Sequence, residues 1–568
     1  MVPLLGSSAT SEARAARGGW RGVVALLIAA LWLSCLWSLP TNPHAPPVFA
    51  LSVEIAALLV LLALLAPLRH HVLGDVLRYT VAAATTLVVT LKLGELVIRA
   101  SLGRPLNPLL DMSLAPSLVH LLSGMLGPAL SALAFAASAA ALGLVFVISV
   151  RAVGAIQRVL DRPRIGMATV AIAGLMVASY GLRQLAPQLI GQQPISAHAT
   201  QMLGAHWTLG RQAVADQVKL AESMASDSFR DLPAEVLLSR LDGIDVLLLY
   251  VESYGRSALE LPRYAETIQP RLEDFEAQLA SHGLHAVSGY LTSPSVGGQS
   301  WLAHGTIQSG LWIPHQRHYN ALVRSDWLTL TKAFGKAGHR TLAVKPAITM
   351  PWPEGEQFGY DQIYAAADLG YAGLPYNWVT MPDQYTLSTL ERLERATSEQ
   401  PLFAEVSLIS SHAPWIPIPP VLDDWSSIGD GEIFSRWAEE GDPPRVVWRD
   451  PERVRYQYTL AIDYVLGVLA SYAASFADDR TLLIIVGDHQ PAPIITGEGA
   501  SRDVPIHVIS GNPSLLMPFE ALGLHAGMHP TGPPIGRMDI LRDWFLETFS
   551  EREQKHDDPV AAIAQPTN

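Results

Sequence analysis

The sequence predicts an N-terminal α-helical membrane domain of about five transmembrane helices, followed by an α/β domain with a mostly parallel central sheet and helices on both faces. Two observations carry this prediction. The first third of the 568-residue chain is poor in charge and rich in Ala, Leu and Val, whereas the rest has the composition of a water-soluble protein. The second part alternates short apolar runs with helical patterns, which is typical of a parallel sheet.

The N-terminal third contains five segments apolar enough to cross a bilayer, which takes about 20 mostly apolar residues. Buried helices of a water-soluble core are the alternative, which five such segments in a row disfavour. The first is not expected to be a signal peptide, because no small-residue cleavage site follows it. The segments are Gly22–Leu39, Val48–Leu68, Tyr79–Ile98, Pro128–Val150 and Ile165–Leu182.

Basic residues between these segments predict the orientation, because cytoplasmic loops carry an excess of Lys and Arg. The first loop has no Lys or Arg, and the third has only Arg99 and Arg104. We therefore expect a cytoplasmic N-terminus in a bacterial inner membrane, with everything after Leu182 on the periplasmic or extracellular side. The arginines of the predicted cytoplasmic segments are Arg14, Arg17, Arg21, Arg69, Arg78, Arg151, Arg158, Arg162 and Arg164.

Composition also sets the domain limits and excludes some partners. We expect a transmembrane domain at 1–183, a linker with surface helices at 184–241, an extracytoplasmic catalytic domain at 242–550 and a flexible tail at 551–568. The net charge of −13, without a basic stripe, excludes a nucleic-acid partner. The single cysteine, Cys35, lies in the first apolar segment, so no disulfide is expected in the outer domain.

Polar residues end several apolar runs of the α/β part. Glu252 closes VLLLYV, His412 follows LFAEVSLISS, and Asp488 and His489 follow TLLIIVG. In open α/β sheets ligands bind at the carboxyl ends of the strands, and carboxylates and imidazoles are ligands for zinc or manganese. Two alternatives remain open: a hydrogen-bonded turn for the Asp-His pair, and a helix cap for Glu252.

A candidate nucleophile lies in the segment SPSVGGQSWLAHGTIQSG. Gly297 and Gly298 permit an irregular backbone before Ser300, where a helical pattern begins. A hydroxyl at a helix N-terminus is well placed to meet an anionic group, and metal coordination lowers the pKa of a hydroxyl. The alternative is a plain N-cap serine.

These residues resemble the alkaline phosphatase superfamily, in which a Glu ends one strand, a Ser or Thr begins a helix and Asp-His ends a late strand. The helical anchor narrows the resemblance to the membrane-anchored sulfatase-like branch of lipoteichoic acid synthases and phosphoglycerol transferases. Phosphoethanolamine transferases share that architecture. The resemblance implies one divalent metal ion, manganese or zinc, bound by Glu252, Ser300, Asp488 and His489, with Ser300 as the catalytic nucleophile.

The resemblance also implies three substrate-binding residues. His412 lies in SSHAPW, and Lys345 and Trp352 lie in VKPAITMPW. This chain departs from the branch here, because the branch has His at the position of Lys345 and an Arg after the Trp is not evident. Lysine still binds phosphate as a point charge.

Sulfatase chemistry is the nearest alternative. Sulfatases carry Cys or Ser in a C/S-x-P-x-R pattern that is converted to formylglycine, and the residues after Ser300 lack its Pro and Arg. The nearby TSPSV resembles the pattern but has Thr292 in place of Cys and Val296 in place of Arg. Formylglycine is therefore not expected, and Thr292 is the alternative nucleophile.

The implied activity is transfer of a phospho-headgroup, of the phosphoglycerol or phosphoethanolamine type, from a membrane phospholipid to a glycan or lipid acceptor. It passes through a phospho-seryl intermediate on Ser300. A sulfatase-like hydrolase of sulfate or phosphate esters is the first alternative. An inactive membrane-tethered binding protein is the second, which the intact Glu, Ser, Asp and His set disfavours.

Three ionisable residues lie in the predicted membrane segments. Lys92 and Glu95 share a helix face near the outer end of the third segment, and Glu54 lies near the outer end of the second. Ionisable groups at membrane depth are costly and often functional. An interhelical ion pair is the simpler interpretation, and contact with a lipid headgroup is the functional one.

Overall fold

The computed structural model describes residues 8–42, 51–186, 188 and 195–551. The chain divides into two compact units. The first comprises Met1–Ala100 and Arg104–Ala215, and the second Ser101–Gly103 and Asp216–Asn568. The division after Ala215 falls inside the predicted linker 184–241.

The first unit is helical, and each of the five predicted apolar segments contains a helix. The second of these helices has 12 residues and is therefore about 18 Å long, shorter than the hydrocarbon core of about 30 Å. Residues 48–50 of that predicted segment lie outside the described residues. The elements are α1 Ser8–Ser38, β1 Leu51–Ser52, α2 Val53–Leu64, α3 Val72–Leu102, α4 Pro108–Asp111, α5 Ala115–Leu126, α6 Pro128–Leu160, α7 Pro163–Leu185, β2 Ile195–Ser196 and α8 His198–Ser223, whose last turns belong to the second unit.

Among the described residues of this unit, four helices are long and apolar enough to cross a membrane by length and composition: Trp20–Ser38 within α1, α3, α6 and α7. Helix α1 packs against α6, and α2 packs against α7. Leu33, Ile55 and Val153 are buried at the centre of this packing. Many other apolar side chains are exposed, such as Leu133 and Leu144 of α6. Apolar surface of this extent is typical of a membrane-embedded unit.

The second unit is the predicted α/β domain. Its strands are β3 Asp245–Val251, β4 His285–Thr292, β5 Arg340–Lys345, β6 Gln362–Ala365, β7 Leu402–Leu408, β8 Thr481–Gly487, β9 Asp503–Ser510, β10 His525–Ala526 and β11 Gly536–Arg537. Its helices are α9 Arg256–Glu260, α10 Pro262–Ser281, α11 Ser300–Ser309, α12 Gln316–Leu322, α13 Leu330–Lys336, α14 Asp383–Leu390, α15 Pro444–Val447, α16 Pro451–Phe476, α17 Pro493–Thr496, α18 Pro513–Leu522 and α19 Ile540–Phe549.

The strands form one sheet of nine strands in the order β10-β4-β9-β8-β3-β7-β5-β6, with β11 paired to β4. The run β8-β3-β7-β5-β6 is parallel, whereas β9 is antiparallel to both β8 and β4. The carboxyl ends of β8, β3, β7 and β5 therefore meet along one edge. All four ends carry residues that the sequence singled out.

Both faces of the sheet are buried. On β3, Leu247 and Leu249 join one core cluster, which includes residues of α10, α14 and α16. Leu248 and Tyr250 join a second cluster, with residues of α11, α13, α18 and α19. Successive side chains of a strand point to opposite faces, so a strand covered on both sides needs a continuous apolar run. Helix α16 is also apolar and long enough to cross a membrane, and its apolar residues lie in the first of these clusters.

Stability depends on this central strand. Leu249 is fully buried, and deleting a buried leucine side chain leaves a cavity that costs about 2–5 kcal/mol. We expect Leu249→Ala to lower the free energy of unfolding by that amount in urea titrations of the detergent-solubilised chain. The control is Leu374→Ala, which removes a side chain that is 47% exposed and is expected to cost less than about 0.5 kcal/mol. Equal effects of the two variants would contradict this account of the core.

Candidate active site

Glu252, Ser300, Asp488 and His489 come together at the carboxyl ends of β3 and β8. One ligand atom each from Glu252, Asp488 and His489 lie within 4.8 Å of one another. The Ser300 hydroxyl donates to Glu252 Oε2 over 2.9 Å and lies 3.3 Å from His489 Nε2. His489 Nε2 is 3.2 Å from Glu252 Oε1. The four residues of the predicted metal site thus share one small cluster.

Backbone groups hold the strand ends at this cluster. Asp488 Oδ1 accepts the backbone N–H groups of Ser253 at 2.8 Å and of His489 at 2.6 Å. Gly487 precedes Asp488, and a Cβ atom there would lie 1.9 Å from the carbonyl oxygen of Tyr254. A glycine is therefore required at position 487, because the chain that follows β3 approaches it too closely for any side chain.

In its neutral form, the one that can bind a metal, His489 is held in one tautomer. Its Nδ1 lies 2.9 Å from the carbonyl oxygen of Gln490, to which it donates. The lone pair is then on Nε2, which faces Glu252 and Ser300. Histidines that bind metals typically donate their other ring N–H to a carbonyl or carboxylate in this way.

Ser300 is placed by an irregular loop that is fastened to the chain after His489. Gly297 N–H donates to the Gln490 carbonyl over 2.8 Å. Gly297, Gly298 and Gln299 all have positive φ angles, of 69°, 144° and 66°, and α11 begins at Ser300. A positive φ is strained for Gln299, and strain of this kind is concentrated at functional sites. Ser253, which follows Glu252, also has a positive φ of 58°.

The charges of the cluster shift the pKa values of its members. Burial and the negative charge of Glu252 raise the pKa of Asp488 well above its usual range. Burial on its own would lower the pKa of His489, but the charges of Asp488 and Glu252 outweigh it and raise that pKa. Burial would likewise raise the pKa of Glu252, but the imidazolium of His489 outweighs it and lowers the pKa below the ordinary range. Two buried carboxylates thus need positive charge between them.

The residues fit a single divalent metal ion. Two carboxylates, one imidazole nitrogen and one hydroxyl form a four-ligand set that suits zinc or manganese. His489 Nε2 and the carboxylate oxygens of Glu252 already converge with Ser300. Asp488 and His489 are each 1% exposed, so the charges are shielded from solvent. Among the described residues, Glu252, Asp488 and His489 form the group of three His, Cys, Asp or Glu side chains that lie close enough together to hold a metal ion.

His412 follows β7, which neighbours β3 in the sheet. Its loop is held on one side by Ser411, whose hydroxyl donates to the Glu252 carbonyl over 2.6 Å. On the other side the buried Asp383 carboxylate accepts the backbone N–H groups of Ile409 and Ser410. Burial raises the pKa of Asp383 to about 7. The substrate-binding role of His412 stays a prediction, and Asp383 is a supporting residue that the sequence did not single out.

Lys345, at the end of β5, is 5% exposed and lies in a second buried polar cluster around Glu405. Its Nζ donates to Glu405 Oε1, and it also contacts Ser407 Oγ at 3.2 Å and His304 Nδ1 at 3.3 Å. Tyr360 donates to Glu405 Oε2 over 2.9 Å. Sequence reasoning missed Glu405, although a Glu inside the apolar run LFAEVSL was a signal of a buried charge that needs a partner.

Trp352 and Thr292 lie apart from the candidate metal cluster. Trp352 packs near Phe358 and Tyr360, with ring centroids 6.2 and 6.4 Å away, so it reaches the second cluster through Tyr360. The Thr292 hydroxyl donates to Asp503 Oδ1 over 3.1 Å. The structure thus places Ser300, and not Thr292, in hydrogen-bond contact with the candidate ligands.

The three polar residues of the helical unit have protein partners. Lys92 Nζ donates to the carbonyl oxygens of Trp37 and Leu39, each at 2.6 Å, at the end of α1. Glu95 accepts from Arg99 at 2.7 Å and lies 2.9 Å from His206 Nε2. Glu54 accepts from Ser52 Oγ at 2.7 Å and from Thr200 N–H at 3.0 Å. Contact of Glu54, Lys92 and Glu95 with a lipid headgroup stays a prediction.

No protein-family model matches the sequence, and no curated protein does. Several solved structures are similar to it. The lipoteichoic acid synthase LtaP from Listeria monocytogenes is 14% identical, with a TM-score of 0.34, over 52% of this chain and 71% of that one. A protein in the alkaline phosphatase superfamily from Vibrio parahaemolyticus is 18% identical, with a TM-score of 0.32, over 57% and 78%. The Streptococcus pyogenes phosphoglycerol transferase GacH is 13% identical, with a TM-score of 0.32, over 52% and 74%.

Metal binding at this cluster is expected to depend on pH. The raised pKa values of Asp488 and His489 mean that protons compete with the ion, so affinity falls as the pH is lowered. We expect Mn²⁺ affinity, measured by calorimetry at pH 6 and pH 8, to drop about tenfold per pH unit for each proton displaced. Titrations in two buffers of different ionisation enthalpy count those protons. Affinity that is unchanged between the two pH values, or binding that survives Asp488→Asn with His489→Gln, would contradict the assignment of these ligands.

Proposed function

We propose that the protein is a membrane-anchored, metal-dependent enzyme that transfers a phospho-headgroup from a lipid, using Ser300 as nucleophile. One observation carries this proposal: the Ser300 hydroxyl lies in hydrogen-bond contact with two members of the candidate metal cluster, Glu252 and His489. A serine held in this way, at the strained start of a buried helix, is placed for nucleophilic attack rather than only for capping.

The chemistry follows from the positions of the side chains. A bound divalent ion would lower the pKa of the Ser300 hydroxyl and neutralise charge on the phosphoryl oxygens. Ser300 releases its hydroxyl proton to solvent as Oγ forms a bond to phosphorus, the ester bond to the lipid alcohol breaks, and the departing lipid oxygen takes a proton from solvent. Glu252 accepts the hydrogen bond of the Ser300 hydroxyl and orients its oxygen for this attack. An acceptor hydroxyl, or water, then attacks the phospho-seryl group and restores Ser300.

The helical unit supports a lipid as the donor. Its four long apolar helices are suited to hold the α/β domain at a bilayer, where a phospholipid headgroup is at high local concentration. In the orientation inferred from the loop arginines, the domain faces the periplasm or the exterior of a bacterial cell. The proposed acceptor is a glycan or a second lipid. His412 and Trp352 are the residues proposed to contact the substrate directly, and Lys345 is proposed to act at the same site through a neighbouring side chain.

Turnover of three esters tests the proposal. The detergent-solubilised chain is supplied with Mn²⁺ or Zn²⁺ and an aryl phosphodiester, an aryl phosphomonoester or an aryl sulfate. We expect metal-dependent cleavage of a phosphoester that Ser300→Ala reduces at least a thousandfold, because the covalent step is lost. The matched control is Thr292→Val, which removes a hydroxyl that lies outside the cluster, and we expect it to keep activity within about threefold.

Three results would each contradict the proposal. Cleavage of the aryl sulfate alone would favour the sulfatase-like alternative. Phosphoester activity that survives Ser300→Ala but is lost in Thr292→Val would move the nucleophile to Thr292. Metal binding without cleavage of any ester would favour a binding protein.

A further inference from the structure

In the second polar cluster, around Glu405, all three hydrogen-bond donors of Lys345 have protein acceptors. An ammonium group has three N–H donors. The structure supplies three acceptors: Glu405 Oε1, Ser407 Oγ at 3.2 Å and His304 Nδ1 at 3.3 Å. Glu405 also neutralises the charge of Lys345, and both side chains are almost completely buried. A direct bond from Lys345 to a substrate phosphoryl group therefore requires breaking one of these three.

The third acceptor, His304, lies one helical turn after Ser300 on α11. Residues four apart share one helix face, with Cβ atoms about 5–6 Å apart, and long side chains lean toward the N-terminus of the helix. His304 therefore shares a helix face with Ser300, and the charges of Glu252 and His489 both act on its ring. It also stacks on Tyr250, which precedes Glu252 by two residues, with a centroid distance of 3.8 Å.

The hydrogen bond from Lys345 fixes the tautomer of His304. Because Lys345 donates to Nδ1, the ring proton lies on Nε2. Burial, and then the charge of Lys345, lower the pKa of His304 well below its ordinary value, so the ring is neutral. Nε2 is buried and has no hydrogen-bond partner among the described residues. A buried N–H without a partner costs free energy unless a ligand or water completes it.

We propose that His304 binds substrate, donating a hydrogen bond from Nε2–H to a non-bridging oxygen of the phosphoryl group that Ser300 attacks. Lys345 acts through it, as a positioning residue that sets the tautomer. This inference rests on the proposed function, because it deepens the role of the same site. A neutral N–H donor suits a dianionic phosphate or a monoanionic diester without adding a further charge to the cluster.

Two variants of His304 test the proposal on the full-length chain in detergent, loaded with Mn²⁺. His304→Phe keeps a ring to stack on Tyr250 but removes the donor, whereas His304→Gln keeps an N–H at similar reach. The probe is inorganic phosphate, measured by calorimetry, with aryl phosphodiester turnover alongside. We expect His304→Phe to weaken phosphate binding about tenfold or more and to lower kcat/KM at least as much, and His304→Gln to recover both to within about threefold. Mn²⁺ affinity is expected to stay unchanged in both.

The matched control is His339→Gln, because His339 is also a buried, neutral histidine. It lies at the other end of β5, with Nε2 3.2 Å from the Ile244 carbonyl, and we expect no change in phosphate affinity. Phosphate binding by His304→Phe equal to that of the wild type would overturn the proposal, as would a wild-type chain that binds Mn²⁺ but no phosphate. If the wild type binds phosphate yet cleaves no ester, the proposed function fails, while the affinities of the two His304 variants still decide the role of His304.

Discussion

Two carboxylates buried side by side are the constraint on which the rest of this structure depends. Glu252 and Asp488 end neighbouring parallel strands and are 9% and 1% exposed. Like charges this close, shielded from water, are unfavourable unless a cation joins them. Protonation of His489 supplies one positive charge, but a protonated imidazole has no lone pair with which to bind a metal. A divalent ion supplies more charge and releases the proton, which is why we regard this cluster as a metal site.

The backbone around the cluster is built to keep these charges together. The central strand β3 is buried on both faces, so its end cannot move without disturbing two core clusters. The chain after β3 approaches the end of β8 so closely that only a glycine fits at Gly487. The segment before Ser300 is fastened to Gln490. Positive φ angles at Ser253 and Gln299 show where the backbone accepts strain to aim the side chains inward. The core packing thus provides the stability that holds a strained and charged site in place.

The features of the fold and site that follow from local sequence patterns could be predicted from the sequence. Continuous apolar runs predicted β3, β7 and β8, and the polar residues that follow these three runs predicted the edge where the site lies. The length of an apolar segment alone does not distinguish a membrane-spanning helix from a buried one. Helix α2 is shorter than its predicted segment, and α16 has the composition of a spanning helix but lies in a protein core.

The interactions that sequence reasoning missed join residues far apart in the chain. Glu405 meets Lys345 only because β5 and β7 are neighbours, a pairing that no local pattern specifies. Asp383 supports the loop of His412 from a helix before β7. The sequence predicts that Lys345 binds phosphate, but it does not show the three protein acceptors that surround its Nζ. Sequence reasoning also missed His304, because its role depends on which of its ring nitrogens already accepts a hydrogen bond.

If the metal cluster makes Ser300 a covalent nucleophile, a phosphoester forms on this serine during turnover. The most direct test is rapid acid quenching of the metal-loaded chain during turnover of an aryl phosphodiester, followed by mass spectrometry of its peptides. We expect a metal-dependent phosphoester adduct on the peptide that carries Ser300, absent in Ser300→Ala. An adduct on Thr292, or turnover in the steady state with Ser300 unmodified at every quench time and burst-phase product absent, would contradict it.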